Sequence, residues 1–388
     1  MGCWLFDVLT DVRAVGGWRK LWFFGIICMM KIRENVPINT LTTMRLGGPA
    51  QYVAEVTELA DIPEALKFAQ ERKLPVFVLG GGANTIGRDE GFPGVVILMR
   101  LSGIEVLSQT ADEVVVRAMA GEVWDDLVAF CVERGFSGLE LLSKIPGTVG
   151  AAPVQNIGAY GQDIAHVIEN VEAYDTVSGE LVVIGREEMQ MEYRSTIFNT
   201  GPDAGRYVIV AVTFVLENEA SLEPPFYNSL QQYFDENGIS DYSPAVVREA
   251  VAAVRAAKLP DPAREASAGS FFKNIYFTSD AEAAKAEAEG VKVLTKPDGR
   301  KMINSGYLIQ AAGLAGRELF GFRVSEKAAL VLINESAKSY ADLAAARAEI
   351  RKIVEAKFGF LLEQEPVEMV AQAPSKDTSE SVGDAEEE

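Results

Sequence analysis

Apolar positions along the chain recur with two periods, one typical of amphipathic helices and the other of short buried strands. Leu59, Ile62, Leu66 and Ala69 follow helical spacing, and the run 74–79 is a short apolar strand that leads directly into glycines. The same patterns predict a helix and five more strands, at 122–134 and at 95–98, 113–118, 167–174, 181–184 and 207–216. This order of elements predicts an α+β fold rather than a regularly alternating, doubly wound sheet.

A change of composition at 217–225, where acidic residues and two prolines interrupt the strands, indicates a domain boundary. Beyond it, Ser243 as N-cap and Pro244 at the first helical position predict the start of a helix. A further helix at 341–357 and a strand at 360–370 end the patterned sequence. We therefore expect five segments: an extension (1–29), a first domain with two subdomains (30–217), a second domain (218–356), a closing strand (357–371) and a disordered acidic tail (372–388).

The first 29 residues differ from the rest of the chain. Arg13, Arg19 and Lys20 precede an apolar run at 21–30, but ten residues are too few to span a bilayer, and no small-residue cleavage site follows. We interpret 1–29 as an early start or a dispensable extension of a cytoplasmic protein, with a membrane anchor as the minority alternative. The tail carries six acids, one lysine and no aromatic residue, which predicts disorder.

Charge and rare residue types exclude several classes of function. The chain has 56 acidic and 36 basic residues, a formal net charge of −20, and no cluster of Lys and Arg, so nucleic acid and anionic membranes are poor partners. Three scattered cysteines suit neither a disulfide framework nor a metal cage, and Cys131 is expected in the core. His166 is the only histidine. A histidine base or a histidine metal site is therefore nearly excluded, and we expect no metal.

Two glycine-rich stretches are candidates for cofactor binding. The first follows an apolar strand, where backbone without Cβ atoms can present N–H groups to a pyrophosphate; it comprises Gly80, Gly81, Gly82, Ala83 and Asn84. Arg88-Asp89 stands where a phosphate-binding loop needs Lys-Ser/Thr, and a simple tight turn is the alternative. The second stretch, 145–161, has almost no side-chain bulk, which favours a flat cofactor against bare backbone, with Gln155 and Asn156 offering amide groups. A loop that threads through a packed core is the alternative there.

Three other motifs carry polar groups that could do chemistry. Arg194 follows Tyr193 between apolar residues, where a surface arginine with a packed stem is the alternative. Ser270 lies in a glycine turn before two phenylalanines. Because no histidine can activate it, we expect this serine to donate or relay a proton rather than to act as a nucleophile. The segment 363–368 contains three carboxylates, most of which are expected to be solvated.

In this order, the motifs resemble the UDP-N-acetylenolpyruvoylglucosamine reductase (MurB) family. The resemblance covers roughly 34–370, and eight short motifs carry it, at 43–50, 80–84, 145–161, 193–198, 258–262, 268–274, 330–334 and 362–365. The segment 225–230 also resembles the extra loop of the family's first subtype. The resemblance implies an FAD-binding module of the vanillyl-alcohol-oxidase (PCMH) type, a smaller α/β substrate-binding domain, and a final strand that returns to complete the active site.

The resemblance also implies the reaction and its site residues. NADPH reduces a non-covalently bound FAD, which then passes hydride to the enolpyruvyl double bond of a UDP-sugar, and the protein is a cytoplasmic monomer. Arg194 is implied as the cation beside the substrate carboxylate, Ser270 as the proton donor and Glu365 as the acid that helps to hold the enolate. The implied FAD contacts are Gly80, Gly81, Gly82, Ala83, Asn84, Gly147, Gly150, Gln155, Asn156, Gly158 and Gly161. The implied substrate contacts are Tyr193, Tyr227, Lys258 and Asn274.

Some departures from the family pattern leave alternatives open. Ala83 replaces the usual serine of the first glycine-rich turn, and Ala328 stands where relatives often have histidine or glutamine. The C-terminal motif differs enough that Glu363 or Glu368 could take the place of Glu365 as the acid. There are two rival functions. One is another FAD-dependent oxidase or dehydrogenase of the same fold, and the other is a binding protein that only holds flavin or a nucleotide sugar.

Overall fold

The computed structural model describes residues 4–14, 17–27, 30–296 and 298–371, and for 4–27 it describes the backbone alone. Strands β1 (Trp4–Ala14) and β2 (Gly17–Ile27) pair as an antiparallel hairpin. That 1–29 is dispensable stays a prediction. The predicted disordered tail, 372–388, lies outside the described residues.

The first sheet has the order β3-β4-β7-β5, with β3 antiparallel to β4 and the other pairs parallel. Its central strand β7 is buried at every position except Pro93, as expected for a parallel strand that is covered on both faces. The elements of this region are β3 (Lys31–Pro37), β4 (Pro49–Val56), α1 (Asp61–Glu71), β5 (Val76–Leu79), β6 (Thr85–Gly87) and β7 (Phe92–Met99).

The second sheet is antiparallel and has the order β14-β13-β15-β9-β8, with β10 paired to β15. Buried and less buried positions alternate along β9 and β13, which is typical of strands with one face on a core. The elements of this region are β8 (Ile104–Gln109), β9 (Glu113–Met119), α2 (Trp124–Val132), β10 (Phe136–Ser137), β11 (Gly158–Ala159), β12 (Gln162–Asp163), β13 (Ile168–Asp175), β14 (Glu180–Gly185) and β15 (Tyr207–Asn218), and β11 and β12 pair with each other as a separate hairpin.

One hydrophobic core joins these two sheets through helices α1 and α2. Ile97 of the first sheet, Ile62 of α1, Leu127 of α2 and Val212 of the second sheet all belong to it and are fully buried. Cys131 is also buried in this core, so the prediction for that residue is confirmed.

Two helices after the second sheet, α3 (Asn228–Asn237) and α4 (Pro244–Lys258), form a small separate core. Leu141 and Tyr160 of the preceding region pack against it. Arg248 of α4 also donates hydrogen bonds to both carboxylate oxygens of Asp125 in α2, at 2.7 and 2.9 Å. This helical pair is therefore docked on the first half of the chain, although the sequence boundary was placed before it.

The remaining residues form two small antiparallel sheets and three helices around a further core. Phe271, Phe322 and Leu343 lie in this core together with Met44 and Ile86 from the first half of the chain. Helix α7 begins with a capping box between Ser339 and Asp342, and Gly359 ends it with φ 73°. The elements are β16 (Ile275–Tyr276), α5 (Asp280–Ala288), β17 (Leu294–Thr295), β18 (Lys301–Ile303), α6 (Ser305–Ala311), β19 (Glu318–Leu319), β20 (Phe322–Val324), β21 (Leu332–Asn334) and α7 (Tyr340–Phe358).

The chain then returns to the first half through a strand that is shorter than the one predicted at 360–370. Only β22 (Val367–Met369) is regular, and it pairs in parallel with β6. Residues 361–366 run beside 271–273 with a single bridge between Gln364 and Phe272. In the part of the chain that the structure describes, no helix has the length and apolar character needed to cross a bilayer.

Candidate functional site

A cleft of about 1130 Å³ lies where the glycine-rich stretches, the end of α4 and the C-terminal region meet. Ala83 and Asn84 of the first stretch line it together with Ser270, Arg194 and Glu365. This volume slightly exceeds the usual range for small-molecule sites, so the cleft can hold a large ligand. The predicted catalytic residues therefore lie around one cleft.

The charge of the cleft is opposite in sign to that of the whole chain. Its basic lining residues are Lys144, Arg194, Arg255, Lys258, Arg264, Arg323 and Lys327. Its acidic lining residues are Asp261, Glu265, Glu326 and Glu365. Seven cations against four acids, in a chain of net charge −20, make the cleft attractive to an anionic ligand.

Arg194 lies in a tight turn in which Glu192 and Ser195 exchange backbone hydrogen bonds of 2.8 and 3.3 Å. Its φ of 56° belongs to the left-handed region that favours glycine, and such backbone strain concentrates at functional sites. Its Nε donates to Glu365 Oε1 at 2.7 Å and its Nη1 donates to the carbonyl oxygen of Asn156 at 3.0 Å. Two separate acceptors thus fix the orientation of the guanidinium group.

Glu365 is the one of the three C-terminal acids that the structure brings to the cleft. Its side chain is 10% exposed, and burial raises its pKa above the usual 4.5 although Arg194 opposes this. Glu363 has a side chain that is 71% exposed and pairs with Lys273. Glu368 bonds to Arg88, Arg347 and Tyr340 away from the cleft.

Ser270 is held by backbone contacts on both sides. Ser270 forms an isolated bridge with Val331. The N–H of Phe271, which follows the serine, donates to Leu330 O at 2.8 Å, and Gly269, which precedes it, has a φ of 69°. The N–H of Glu365 in turn donates to Phe271 O at 3.0 Å. The serine and the acid are therefore attached to one short stretch of paired backbone.

The two glycine-rich stretches pack directly against each other. A Cβ on Gly81 would lie 2.9 Å from Gly147 Cα, and one on Gly80 would lie 2.3 Å from Thr148 Oγ1. Asn84 Nδ2 donates to Gln155 Oε1 at 2.7 Å across the same junction. Close backbone approach thus explains several of these glycines without any ligand.

Other predicted cofactor residues divide into two groups. A Cβ on Gly147 or Gly161 would meet no protein atom within 4 Å, and Gly158 lines the cleft. Gly150 instead packs on Ala120, where a Cβ would come to 2.5 Å. Asn156 is 4% exposed, and its side chain bonds internally to Glu192 O and to the N–H of Ala165.

Of the predicted substrate residues, only Lys258 lines the cleft. The Tyr193 hydroxyl accepts a hydrogen bond from the Asn274 backbone N–H at 3.1 Å, and burial raises its pKa to about 12. The Asn274 side-chain oxygen accepts from the N–H of Ser305. Tyr227 is 50% exposed and packs edge-on against Tyr160.

Several cleft residues were missed by the sequence analysis, above all Arg255 and Lys144. Burial lowers the pKa of Arg255, and the nearby Tyr160 opposes this shift. Lys144 donates to Asp125 at 2.7 Å. Sequence signals for both existed, because Arg255 precedes Lys258 by one helical turn and Lys144 immediately precedes the second glycine-rich stretch.

Two regions of the chain match models of protein families. Residues 50–185 match an FAD binding domain, and residues 261–369 match the C-terminal domain of UDP-N-acetylenolpyruvoylglucosamine reductase. The first match contains both glycine-rich stretches, and the second contains Ser270 and Glu365.

Whole-chain comparisons agree with these matches. The UDP-N-acetylenolpyruvoylglucosamine reductase of Pseudomonas fluorescens is 38% identical over 338 residues, which are 87% of this chain and 98% of the relative. The reductase of the same name from Ralstonia nicotianae is 39% identical over 87% of this chain and 99% of the relative. The crystal structure of the Thermus caldophilus enzyme (MurB) has the same fold, with a TM-score of 0.59 and 24% identity over 88% of this chain and 99% of that chain. The α+β prediction is confirmed, and the chain belongs to the UDP-N-acetylenolpyruvoylglucosamine reductase family.

Proposed function

We propose that this chain reduces UDP-N-acetylenolpyruvoylglucosamine to UDP-N-acetylmuramate, with non-covalently bound FAD as cofactor and NADPH as electron donor. The names of its relatives support the substrate. The buried Arg194–Glu365 pair, which faces a basic cleft together with Ser270, is the observation that carries the proposal. A UDP-sugar brings a diphosphate and a carboxylate, and both suit that excess of positive charge.

The residues around the glycine-rich stretches fit a flavin dinucleotide. Thr148 Oγ1 is buried and has no hydrogen-bond partner among the described residues, so an acceptor or donor for it is needed. The space beside Gly147, into which a Cβ would point, is free of protein atoms. We assign FAD binding to both stretches, including Gly82, Ala83 and Asn84. When bound and reduced by NADPH, the flavin supplies hydride to the terminal carbon of the enolpyruvyl group.

The side chains of the cleft then have separate roles in that reduction. Arg194 stabilises the negative charge that develops beside the substrate carboxylate. Glu365, which is held beside Arg194 and whose pKa is raised by burial, is the acid that helps to hold the enolate. Ser270 delivers a proton from its hydroxyl to the substrate carbon next to the carboxylate.

The same proposal assigns tasks to the larger segments. Residues 30–217 hold the cofactor, 218–356 bind the substrate, and 357–371 return to place Glu365. Lys258 and Arg255, at the end of α4, attract the diphosphate, and Tyr193, Tyr227 and Asn274 support the substrate side of the cleft. The protein acts as a cytoplasmic monomer in peptidoglycan precursor synthesis, and thereby in cell shape and division.

The test is to purify the protein and to measure NADPH oxidation with and without the enolpyruvyl substrate. We expect a yellow protein whose flavin is bleached by NADPH and whose steady NADPH oxidation requires the substrate. Flavin that stays with the polypeptide after denaturation would favour a different FAD oxidase or dehydrogenase. Flavin that NADPH cannot bleach would favour a binding protein without catalytic activity.

A further inference from the structure

Glu368 lies three residues after Glu365, and three side chains from two parts of the chain donate to its carboxylate. Arg88 donates through Nε at 3.0 Å and through Nη2 at 2.6 Å. Arg347 Nη1 donates at 2.8 Å and the Tyr340 hydroxyl at 2.6 Å. The Glu368 side chain is only 17% exposed. Charge-assisted bonds in such a setting are among the stronger ones in proteins, so this carboxylate is firmly fixed.

The donors join the first half of the chain to α7. Arg88 follows β6, and the guanidinium carbon lies 4.9 Å from the centre of the Tyr340 ring. The next residue, Asp89, accepts from the backbone N–H groups of Tyr340 and Ala341 at 2.6 and 3.1 Å. Those N–H groups belong to the first turn of α7, where a carboxylate is favourable. Glu368 therefore sits where β6, α7 and the C-terminal strand meet.

The strand that carries Glu368 also carries the acid of the cleft. The N–H of Glu365 donates to Phe271 O at 3.0 Å, next to Ser270, and the N–H of Val367 donates to Asn84 O at 2.9 Å. Asn84 belongs to the first glycine-rich stretch. Glu365 is thus held between one anchor beside the serine and a second anchor at the cofactor-binding turn.

We propose that Glu368 is a positioning residue whose carboxylate holds β22 on β6 and thereby fixes Glu365 beside Arg194. Pairing between β22 and β6 covers only three residues of each strand, so few backbone bonds hold it. The carboxylate adds bonds to both flanking elements at the end of this short pairing. Catalysis by Glu365 then depends on a residue that does not line the cleft, because small displacements of a reacting group are costly. The kinetic part of this proposal rests on the proposed function, while the structural part does not.

The first test measures the strand itself. Hydrogen–deuterium exchange of the flavin-loaded full chain should be faster at the amides of Glu365 and Val367 in Glu368→Gln than in the wild type. Tyr340→Phe, which removes one hydroxyl donor, should give a smaller increase at the same amides. Glu363→Gln is the matched control, because this acid lies in the same segment, is exposed and bonds only to Lys273. Unchanged exchange in both Glu368→Gln and Tyr340→Phe would overturn the proposal.

The second test separates positioning from general loss of structure. We expect Glu368→Gln to slow flavin reoxidation by the enolpyruvyl substrate by about 10–100-fold, while flavin reduction by NADPH and the KM for NADPH stay within about twofold. Equal slowing of both half-reactions would contradict a specific effect on Glu365. If Glu368→Gln does not fold, Tyr340→Phe carries both tests. Should the wild type fail to turn over the substrate, the proposed function falls, and the exchange experiment still decides the positioning role.

Discussion

Arg194 combines an unfavourable backbone conformation with a buried ion pair. Its φ of 56° would be relieved by glycine, yet its guanidinium group donates to Glu365 and to Asn156 O. Such strain costs about 1–3 kcal/mol and persists only where the surroundings enforce it. Here the two backbone hydrogen bonds between Glu192 and Ser195 hold this conformation. The turn therefore lowers the free energy of unfolding while it orients the guanidinium group.

Ser270→Ala should impair one half-reaction and leave the other unchanged. NADPH reduces the flavin without delivering a proton to a substrate carbon, so that step should proceed at nearly the wild-type rate. Reoxidation by the enolpyruvyl substrate needs the proton, and we expect it to slow by about 10²–10⁴-fold. Ser270→Cys should recover part of the loss, because a thiol can still donate. Stopped-flow absorbance of the flavin measures each half-reaction separately.

Ser305→Ala is the matched control for this experiment. The Ser305 hydroxyl is fully buried and donates to Lys273 O, three residues beyond Ser270, without facing the cleft. Its loss should lower the melting temperature and leave the ratio of the two half-reaction rates unchanged. If Ser270→Ala behaves like Ser305→Ala, then the hydroxyl at 270 is structural.

Glu365 and Glu368 should affect stability with opposite dependence on pH. Burial alone would raise the pKa of Glu368, but Tyr340, Arg88 and Arg347 lower it to about 2, so its stabilisation is complete above 4.5 and is lost as the pH falls towards 2. The pKa of Glu365 is raised, so its protonated form is favoured in the folded state, and stability is lost as the pH rises through that pKa.

We therefore expect Glu368→Gln to be destabilised by about 2 kcal/mol near neutral pH, and by progressively less in acid. Glu365→Gln should be at least as stable as the wild type near neutral pH, with a difference that shrinks as the pH falls. Denaturant unfolding of the wild type and both variants, at several values between about pH 2 and pH 7, measures these differences. Parallel pH profiles for the two variants would contradict the opposite pKa shifts.

At the scale of elements, the glycine-rich stretches distinguish packing from ligand binding. A Cβ on Gly82 would lie 2.1 Å from Leu41 O, so Gly82→Val is expected to unfold the turn rather than merely to displace a cofactor. Gly147→Ala is the better test, because its Cβ would meet no protein atom within 4 Å. We expect this variant to fold and to bind FAD more weakly, as measured by flavin content and by titration of the stripped protein.

Gly103→Ala controls for backbone strain in that experiment. Gly103 has a φ of 136°, close to the 131° of Gly147, and its Cβ would make only an ordinary contact with Met119. Both variants should lose similar stability, while only Gly147→Ala should lose affinity for FAD. Equal flavin content in the two variants would show that Gly147 serves only the turn.

Elements with strong periodicity were predicted well from the sequence, and contacts between distant segments were not. The apolar face with Leu127 and Cys131 predicted a helix at 122–134, and the structure has one at Trp124–Val132. The acids at 363, 365 and 368 could not be separated by local pattern, because their surroundings come from Arg194, Lys273 and Arg88. Only tertiary contacts decide which carboxylate is buried.

The predicted length of the C-terminal strand was wrong because its partner strand is short. A strand was expected over 360–370, but β6 offers only Thr85–Gly87 for pairing, so regular structure is limited to Val367–Met369. Asn156 was expected to contact a cofactor, which stays a prediction, and its side-chain amide bonds internally to Glu192 O and Ala165 N. Amide groups in loops satisfy nearby backbone first, and sequence alone does not show which backbone is near.

At the scale of the whole molecule, the segment 1–29 can be tested by removal. The Pseudomonas fluorescens relative aligns over 98% of its own length yet over only 87% of this chain. Met30 and Ile32, just after this segment, pack against the joint core of the two sheets. A protein that begins at Met30 should keep its flavin content and NADPH oxidation. A flavin-free or insoluble product would show that the segment is structural.

The parallel pairing of β22 with β6 has a consequence for synthesis on the ribosome. Met369 packs in one core with Val36, Ile38 and Leu79, so residues that are synthesised early need a partner that is synthesised about 300 residues later. Until β22 has been synthesised, β6 and the glycine-rich turn before it lack the strand with which they finally pair. Contacts of such long sequence separation form late and slow the overall folding rate. A nascent chain that ends before residue 367 would therefore lack the pairing that fixes Glu365 and would have an incomplete core. Because that strand is missing, proteases would cleave such prematurely terminated products more readily.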